Sequence, residues 1–317
     1  MTQYYERPPV KPSREFFYLI SLWILSMIAS AIAAILVWWL MTGISILSME
    51  NEWTKPENLN AFKMMQVVST IILFFLPAYL TARRSSNQPM RQLGFHKSFH
   101  FNRLLLGLGI MLCVLPLVGF MADVNKAIPL SPAFKKMVEA MESDYMEQIK
   151  LIATFTSPVD YISALIVIAF FPAFVEEVFF RGAMQQIFMR WFIHPWLVIF
   201  ITSLIFSAIH FSWYGFIPRI VLGMMLGGIF HYTGNLWYSI AAHFFNNAAM
   251  VTLLYTQHLQ GKPIDTEVGD SAPWWAGVLS LILVIFLFRQ LRRISLTKVA
   301  PDSIAASTET ENNRFTV

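Results

Sequence analysis

Three charged side chains interrupt an otherwise apolar run between Pro172 and Gly182, namely Glu176, Glu177 and Arg181. An ionised side chain near the centre of a bilayer costs roughly 2.5–3.5 kcal/mol on insertion scales, so charges grouped in such a run usually serve a site and face away from lipid. A carboxylate placed there can take a proton from water or bind a metal ion. The two glutamates are therefore the first candidates for a chemical role.

The two glutamates are expected to have different roles. Adjacent residues on a helix point about 100° apart, so Glu176 and Glu177 cannot both face one site. Glu177 stands four residues before Arg181, the favourable orientation for a helical ion pair. This spacing predicts that Glu177 and Arg181 form a supporting pair and that Glu176 faces the site. Pro172 removes a helix hydrogen bond and could begin a half-helix, which would place both carboxylates near a positive dipole end.

Composition decides in which environment this stretch lies. Apolar residues make up 56% of the 317 residues, charged residues make up 13%, and the mean hydropathy is +0.55. A soluble domain is nearer to about 45–50% apolar and about 25% charged. The balance predicts a polytopic membrane protein, embedded in a lipid bilayer. Although the net charge is +4, the Lys and Arg residues flank apolar segments, as membrane topology requires. No nucleic acid partner is expected.

The apolar residues gather in eight segments, which predict an all-α fold, a membrane helix bundle of about eight transmembrane helices. The segments cover about 16–47, 64–82, 104–120, 161–188, 196–211, 215–232, 236–255 and 274–288. Several are short for a straight crossing, which needs ~20 residues. Cys113 is the single cysteine, which excludes an intrachain disulfide and a cysteine-based metal cluster.

These segments divide the chain into five parts. The predicted parts are an N-terminal arm (1–15), N-terminal membrane helices with a long loop (16–160), a core (161–257), the last loop and final helix (258–293), and a disordered tail (294–317). If the chain crosses the membrane eight times, its basic segments all lie on one side: the N-terminal arm, the loop between the second and third apolar segments, and the tail. The acidic loops then lie on the other side. The positive-inside rule then makes both termini cytoplasmic in a multi-pass protein of the cell (plasma or inner) membrane.

The long acidic loop contains a predicted amphipathic helix over 132–150. Ser131 and Pro132 suit an N-cap and first helical position. Apolar residues recur after them at three- and four-residue spacing: Phe134, Met137, Val138, Met141, Tyr145 and Ile149. One interpretation is an interfacial helix or lid over the site, and the other is a surface helix packed on its own domain.

Later helices supply three polar side chains that could meet Glu176. Glu176 and His210 each lie 14 residues from the turn between their segments, so at ~1.5 Å per residue they sit at matching depth, both on helices. His243 and Asn247 have i, i+4 spacing and therefore share one helix face. A carboxylate, two histidines and an asparagine from three apolar helices predict a polar site within the membrane.

Hydrolysis is the reaction that this set of residues suits best. Glu176 would take a proton from water with help from His210, and His243 and Asn247 would donate hydrogen bonds to an oxyanion. In an alternative arrangement, Glu176, His210 and His243 would hold a zinc ion, since His₂Glu is a catalytic zinc set. The same polar core could instead bind a ligand or carry a proton without hydrolysis, as in a binding protein or small transporter.

The same positions resemble the three motifs of a known family. Glu176-Glu177-x-x-x-Arg181, Phe206-x-x-x-His210 and His243-x-x-x-Asn247 are similar to the motifs of the CAAX prenyl protease 2 / Abi (CPBP) family of intramembrane proteases. The stretch from Leu222-Gly223 to Thr233-Gly234-Asn235-Leu236-Trp237 is also similar to the family's connector between its second and third motifs. The resemblance covers about 161–255.

The resemblance implies an intramembrane endopeptidase with a peptide or membrane-protein substrate. It implies that Glu176 and His210 activate water, that His243 and Asn247 bind the oxyanion, and that Glu177 and Arg181 support the site. The core 161–257 would then be the catalytic core. Family members are described as metalloproteases or as metal-free glutamate enzymes, so zinc remains one of two alternatives. Some members confer bacteriocin immunity, which keeps a non-catalytic function open.

Overall fold

The chain folds into helices joined by short loops. The computed structural model of the protein describes residues 10–262 and 273–296, and no β-strand occurs within them. The main helices are α1 (Pro12–Thr42), α2 (Pro56–Ser85), α3 (Phe101–Lys126), α4 (Pro132–Ile152), α5 (Pro158–Trp191), α6 (Pro195–Ala208), α7 (Phe216–Thr233), α8 (Leu236–Leu259) and α9 (Trp274–Leu296). Most of the N-terminal arm, of the last loop and of the tail lies outside the described residues.

Each of the eight predicted segments forms a helix, which confirms the polytopic helical bundle. Six of these helices, α1, α2, α3, α5, α7 and α9, are long and apolar enough to cross a membrane. The 14 residues of α6 reach only about 21 Å, short of the ~30 Å hydrocarbon core. The chain is thus an integral membrane protein, while the number of crossings and the orientation of the termini stay predictions.

Helix α5 departs from regular α-helical geometry on both sides of the two glutamates. Leu165–Phe170 and Val178–Gln185 are π-helical, and Phe171–Glu177 between them is α-helical. The expectation of a half-helix beginning at Pro172 is wrong, because α5 is continuous from Pro158 to Trp191. The wider π turns accommodate a proline that lacks an N–H, so the helix need not break there. Such bulges occur frequently at functional sites.

Helix α5 also passes through the centre of the bundle. Its side chains form much of the largest apolar cluster, in which they contact α1, α2, α6 and α8. The most buried members on α5 are Val175, Val178, Phe179, Phe180, Met184 and Ile187. By contrast, α1 and α9 expose most of their apolar side chains, as helices facing lipid do. The glutamates therefore lie on the innermost helix.

Close packing of α7 against α5 and α6 depends on glycines. A Cβ on Gly223 would lie 2.9 Å from the Ser203 Cβ, and one on Gly227 would lie 2.9 Å from the Gln185 Oε1. Backbones can approach this closely only where a side chain is missing. This close packing places the Gly223 carbonyl within hydrogen-bond distance of Arg181 on α5.

The predicted amphipathic helix in the acidic loop is present as α4. The Ser131 hydroxyl accepts a hydrogen bond from the Phe134 N–H and caps its first turn. Val138 is buried, whereas Met137 on the predicted apolar stripe is half exposed. Only part of the stripe therefore packs against the bundle.

Candidate active site

Glu177 and Arg181 form the predicted ion pair inside the bundle. The Arg181 Nη1 lies 3.1 Å from the Glu177 Oε1, and both side chains are at most 1% exposed. The Arg181 Nη2 donates a 3.0 Å hydrogen bond to the Gly223 carbonyl on α7. The guanidinium thus links α5 to α7 next to Glu177. A fully desolvated pair of this kind fixes geometry more than it adds stability.

The structure brings Glu176 together with both candidate histidines. The Glu176 Oε2 lies 4.0 Å from the His210 Nε2 and 3.9 Å from the His243 Nε2. The Glu176 side chain is 12% exposed and that of His243 is 8% exposed. These distances are too long for direct hydrogen bonds, so each histidine nitrogen faces the carboxylate across a narrow gap.

The other nitrogen of each histidine ring is engaged. The His210 Nδ1 donates a hydrogen bond of 2.7 Å to the Phe206 carbonyl, and the His243 Nδ1 donates one of 3.1 Å to the Glu177 carboxylate. Carbonyl and carboxylate oxygens only accept hydrogen bonds, so both Nδ1 atoms carry protons. A neutral imidazole in this state presents a lone pair at Nε2. Glu177 therefore supports two groups, Arg181 and His243, a second partner that the sequence did not predict.

The depth argument expected His210 to lie on a helix, and this expectation is wrong. Helix α6 ends at Ala208, and the His210 N–H bonds to the Ser207 carbonyl in the following turn. Phe211 then adopts a left-handed conformation with φ of 51°, which turns the chain away from the helix axis. His210, two residues beyond the end of α6, still lies 4.0 Å from Glu176.

A buried asparagine on α3 holds the loop that follows His210. The Asn125 side chain is fully buried; its Nδ2 donates to the Trp213 carbonyl at 2.8 Å, and its Oδ1 accepts from the Ile217 N–H at 3.1 Å. These two bonds fix the chain between α6 and α7. Sequence reasoning missed Asn125, since nothing in its own segment marks the distant loop as its partner.

Asn247 lies one helical turn beyond His243 on α8, as predicted from their spacing. Its side chain is half-buried, and its Oδ1 accepts a hydrogen bond from the Asn246 Nδ2 at 3.3 Å. That bond leaves the amide N–H groups of Asn247 as the donors available to a substrate. Its role in oxyanion binding stays a prediction.

The Phe206 ring packs among the polar groups of the site. Its centroid lies 4.8 Å from that of His210 and 5.9 Å from that of His243, and the Arg181 guanidinium carbon lies 4.7 Å from it. An aromatic face against a guanidinium is a favourable cation–π arrangement. Phe206 thus orients both histidines, a role that its motif position alone did not reveal.

The site residues as placed do not fit a zinc ion. Two ligands on one tetrahedral zinc with bonds of about 2.0–2.2 Å lie roughly 3.3–3.6 Å apart, whereas Glu176 is 3.9 and 4.0 Å from the two histidines. Within the described part of the chain, no group of three His, Cys, Asp or Glu side chains is arranged to hold a metal ion. The metalloprotease prediction is therefore not supported.

Helix α4 lies against the loop that carries His210. The Glu142 Oε1 accepts a 3.0 Å hydrogen bond from the Tyr214 N–H, and the Phe134 and Trp213 rings meet edge to face at 5.5 Å. These contacts show that α4 packs on its own domain beside this loop, and its role as a lid stays a prediction.

Comparison with known proteins agrees with the motifs. Residues 158–249 match the family described as Type II CAAX prenyl endopeptidase Rce1-like. This segment is similar to that family. It contains every candidate site residue predicted from the sequence, and the resemblance seen in the motifs is confirmed for it.

A curated relative and a search of solved structures complete the comparison. The chain is 32% identical over 100 residues to YpbD of Bacillus subtilis (strain 168), a protein described as uncharacterized. The match covers 30% of this chain and 48% of YpbD, so it spans about half the length of that relative. No solved structure matches the chain.

Proposed function

We propose that the protein is an intramembrane endopeptidase in which Glu176 activates a water molecule for hydrolysis of a peptide bond, with 161–257 as the catalytic core. The observation that carries the proposal is the convergence of Glu176, His210 and His243 around one gap in the bundle. The Rce1-like match of 158–249 supports a CAAX-type protease activity in general.

The gap has the size of one water molecule. A water oxygen about 2.8 Å from two atoms that are 4.0 Å apart subtends an angle of about 90°, which a tetrahedral water can accommodate. Such a water would donate one hydrogen bond to the Glu176 carboxylate and the other to the lone pair on the His210 Nε2. Its own lone pair would then be free to attack a carbonyl carbon.

The side chains of the site differ in whether they can accept or donate a proton, and this difference gives each of them a role. Glu176 takes a proton from water as the new C–O bond forms, and it passes that proton to the leaving amine when the C–N bond breaks. His243 can donate to the oxyanion only as an imidazolium, because its Nδ1–H is already bonded to Glu177. The Glu177 carboxylate would then face that positive charge, and the Asn247 amide would be the second donor.

A peptide-release assay tests the proposal. The purified protein, reconstituted in liposomes, is incubated with membrane-anchored and prenylated C-terminal peptides, and the products are identified by mass spectrometry. We expect cleavage of a single peptide bond in at least one peptide.

The same liposomes separate the alternatives. Binding of a peptide without any cleavage would favour a non-catalytic function such as immunity. Uptake of protons or solutes into the liposomes without cleavage would favour a transporter. Either result would contradict the proposed hydrolysis.

A further inference from the structure

A polar cavity lies near the C-terminal end of α5, away from the candidate active site. It has a volume of about 850 Å³ and is bounded by the first turn of α1, the last turns of α2 and α5, and the segment 86–96. Gln186 in its wall follows Glu176 by ten residues on α5, roughly 15 Å along the helix axis. None of the candidate site residues lines the cavity, which is therefore a separate place in the fold.

Positive side chains outnumber negative ones around this cavity. Arg91 and Arg190 line it together with one carboxylate, that of Glu15. Both oxygens of Glu15 are engaged, since Oε1 accepts from the Ser85 hydroxyl at 3.0 Å and Oε2 accepts from the Arg190 Nη2 at 2.7 Å. Among the residues that the structure describes, none forms a hydrogen bond or ion pair with the Arg91 side chain. An anion in the cavity would meet two guanidinium groups and no unpaired carboxylate.

A second cavity extends the same positive surface. It has a volume of about 680 Å³, shares Arg91 and His96 with the first cavity, and adds Lys97. Its lining within the described part of the chain contains no carboxylate. Basic pockets of this kind between membrane helices are typical binding places for anionic headgroups.

The segment that carries Arg91 and His96 is fixed to two other parts of the bundle. The Gln186 Nε2 on α5 donates a 2.8 Å hydrogen bond to the Gln92 carbonyl. The buried Asn235, which caps α8, donates from its Nδ2 to the His96 carbonyl at 3.2 Å. Asn235 belongs to the connector between the second and third motifs, for which the hydrolysis gives no role. A wall held in this way loses little freedom when a ligand binds.

The cavity lies at the level where lipid headgroups are expected. Helices α2 and α5, both long and apolar enough to span a membrane, end beside it at Ser85 and Trp191. Trp191 is 43% exposed, as aromatic residues at a membrane surface are. Leu93 and Ile187 supply an apolar part of the wall. The carbonyl ends of α2 and α5 oppose an anion here, but only weakly compared with two guanidinium groups.

We propose that this cavity binds the phosphate group of an anionic ligand, with Arg91 and Arg190 as hydrogen-bond donors. A guanidinium binds phosphate oxygens through paired hydrogen bonds. A zwitterionic headgroup fits less well, because its ammonium group would lie among cations while the oxygens of Glu15 are already engaged. The phosphate can belong to a lipid or to a soluble compound, and the experiment distinguishes the two. The inference does not depend on the proposed endopeptidase function.

The test compares lipids with the same acyl chains and different headgroups. Fluorescent phosphatidylglycerol, which is anionic, and phosphatidylcholine, which is zwitterionic, are titrated into the purified full chain in detergent micelles. We expect the dissociation constant of phosphatidylglycerol to be roughly 10-fold lower, the effect of a charge-assisted hydrogen bond. In Arg91→Gln and in Arg190→Gln the ratio should fall towards one. Arg91→Gln is decisive, since Arg190→Gln also removes the partner of Glu15. Arg289→Gln, at an exposed position on α9, is the matched control and should keep the wild-type ratio.

Soluble anions separate the two sources of the phosphate group. Inorganic phosphate and glycerol 3-phosphate are titrated into the same samples, and the rise in unfolding temperature is measured. A preference for phosphatidylglycerol that requires Arg91 supports a lipid headgroup, and stabilisation by a soluble phosphate that requires Arg91 supports a soluble ligand. If the wild type and Arg91→Gln bound every one of these anions equally, or if Arg289→Gln lost as much affinity as Arg91→Gln, the inference would be overturned.

Discussion

Replacement of Glu176 by glutamine is expected to lower kcat by roughly 10²- to 10⁴-fold, the usual contribution of a general base. The amide has nearly the shape of the carboxylate, yet it cannot take a proton from water. The protein should still fold, because a neutral side chain at a position 12% exposed removes the cost of burying a charge. The measurement is cleavage of a peptide by purified Glu176→Gln, together with its thermal unfolding in detergent.

Glu139→Gln is the matched control for this substitution. Glu139 lies on α4 with a side chain that is 56% exposed, and it faces Lys135 at 3.8 Å. An exposed pair of this kind contributes little, so activity and stability should match those of the wild type. If Glu176→Gln kept more than about a tenth of the wild-type kcat, Glu176 would not be the general base.

Replacement of Arg181 by leucine is expected to lower the free energy of unfolding by about 3–5 kcal/mol, because it leaves the Glu177 carboxylate buried without its ion-pair partner. It also removes the bond from Arg181 to the Gly223 carbonyl, which joins α5 to α7. Denaturant titration in detergent measures the change. Arg289→Leu, at an exposed position, should change stability by no more than about 0.5 kcal/mol.

A double variant separates support of the fold from support of the reaction. In Glu177→Met/Arg181→Leu both charges are replaced by apolar groups, which is often neutral or stabilising for a buried pair. We expect most of the lost stability to return while activity stays lost, because His243 no longer has the Glu177 acceptor. If Arg181→Leu unfolded at the wild-type denaturant concentration, the pair would not have the structural importance assigned to it.

Features set by local spacing could be predicted from the sequence. The Glu177–Arg181 pair follows from i, i+4 geometry, and the helices follow from runs of apolar residues. The motif spacing likewise placed Glu176 with His210 and His243, which the structure brings to about 4 Å. These inferences needed only residues that are neighbours on one helix or motifs with a fixed order.

Features set by tertiary packing could not be predicted in this way. The two π-helical segments of α5 depend on its place in the bundle, and periodicity does not distinguish them from α-helix. The bond between Glu177 and His243 joins residues 66 positions apart. Asn125 binds the loop that follows Phe211, a residue whose left-handed conformation its apolar side chain does not predict.

The most direct test of the account measures peptide cleavage and metal content on the same purified samples. Wild type and Glu176→Gln are assayed side by side by mass spectrometry, and zinc is quantified by elemental analysis before and after treatment with a chelator. The account predicts that the wild type cleaves its peptide without stoichiometric zinc and that Glu176→Gln does not cleave it. Cleavage by Glu176→Gln would contradict water activation by Glu176, and wild-type activity that rises and falls with bound zinc would contradict activation without a metal ion.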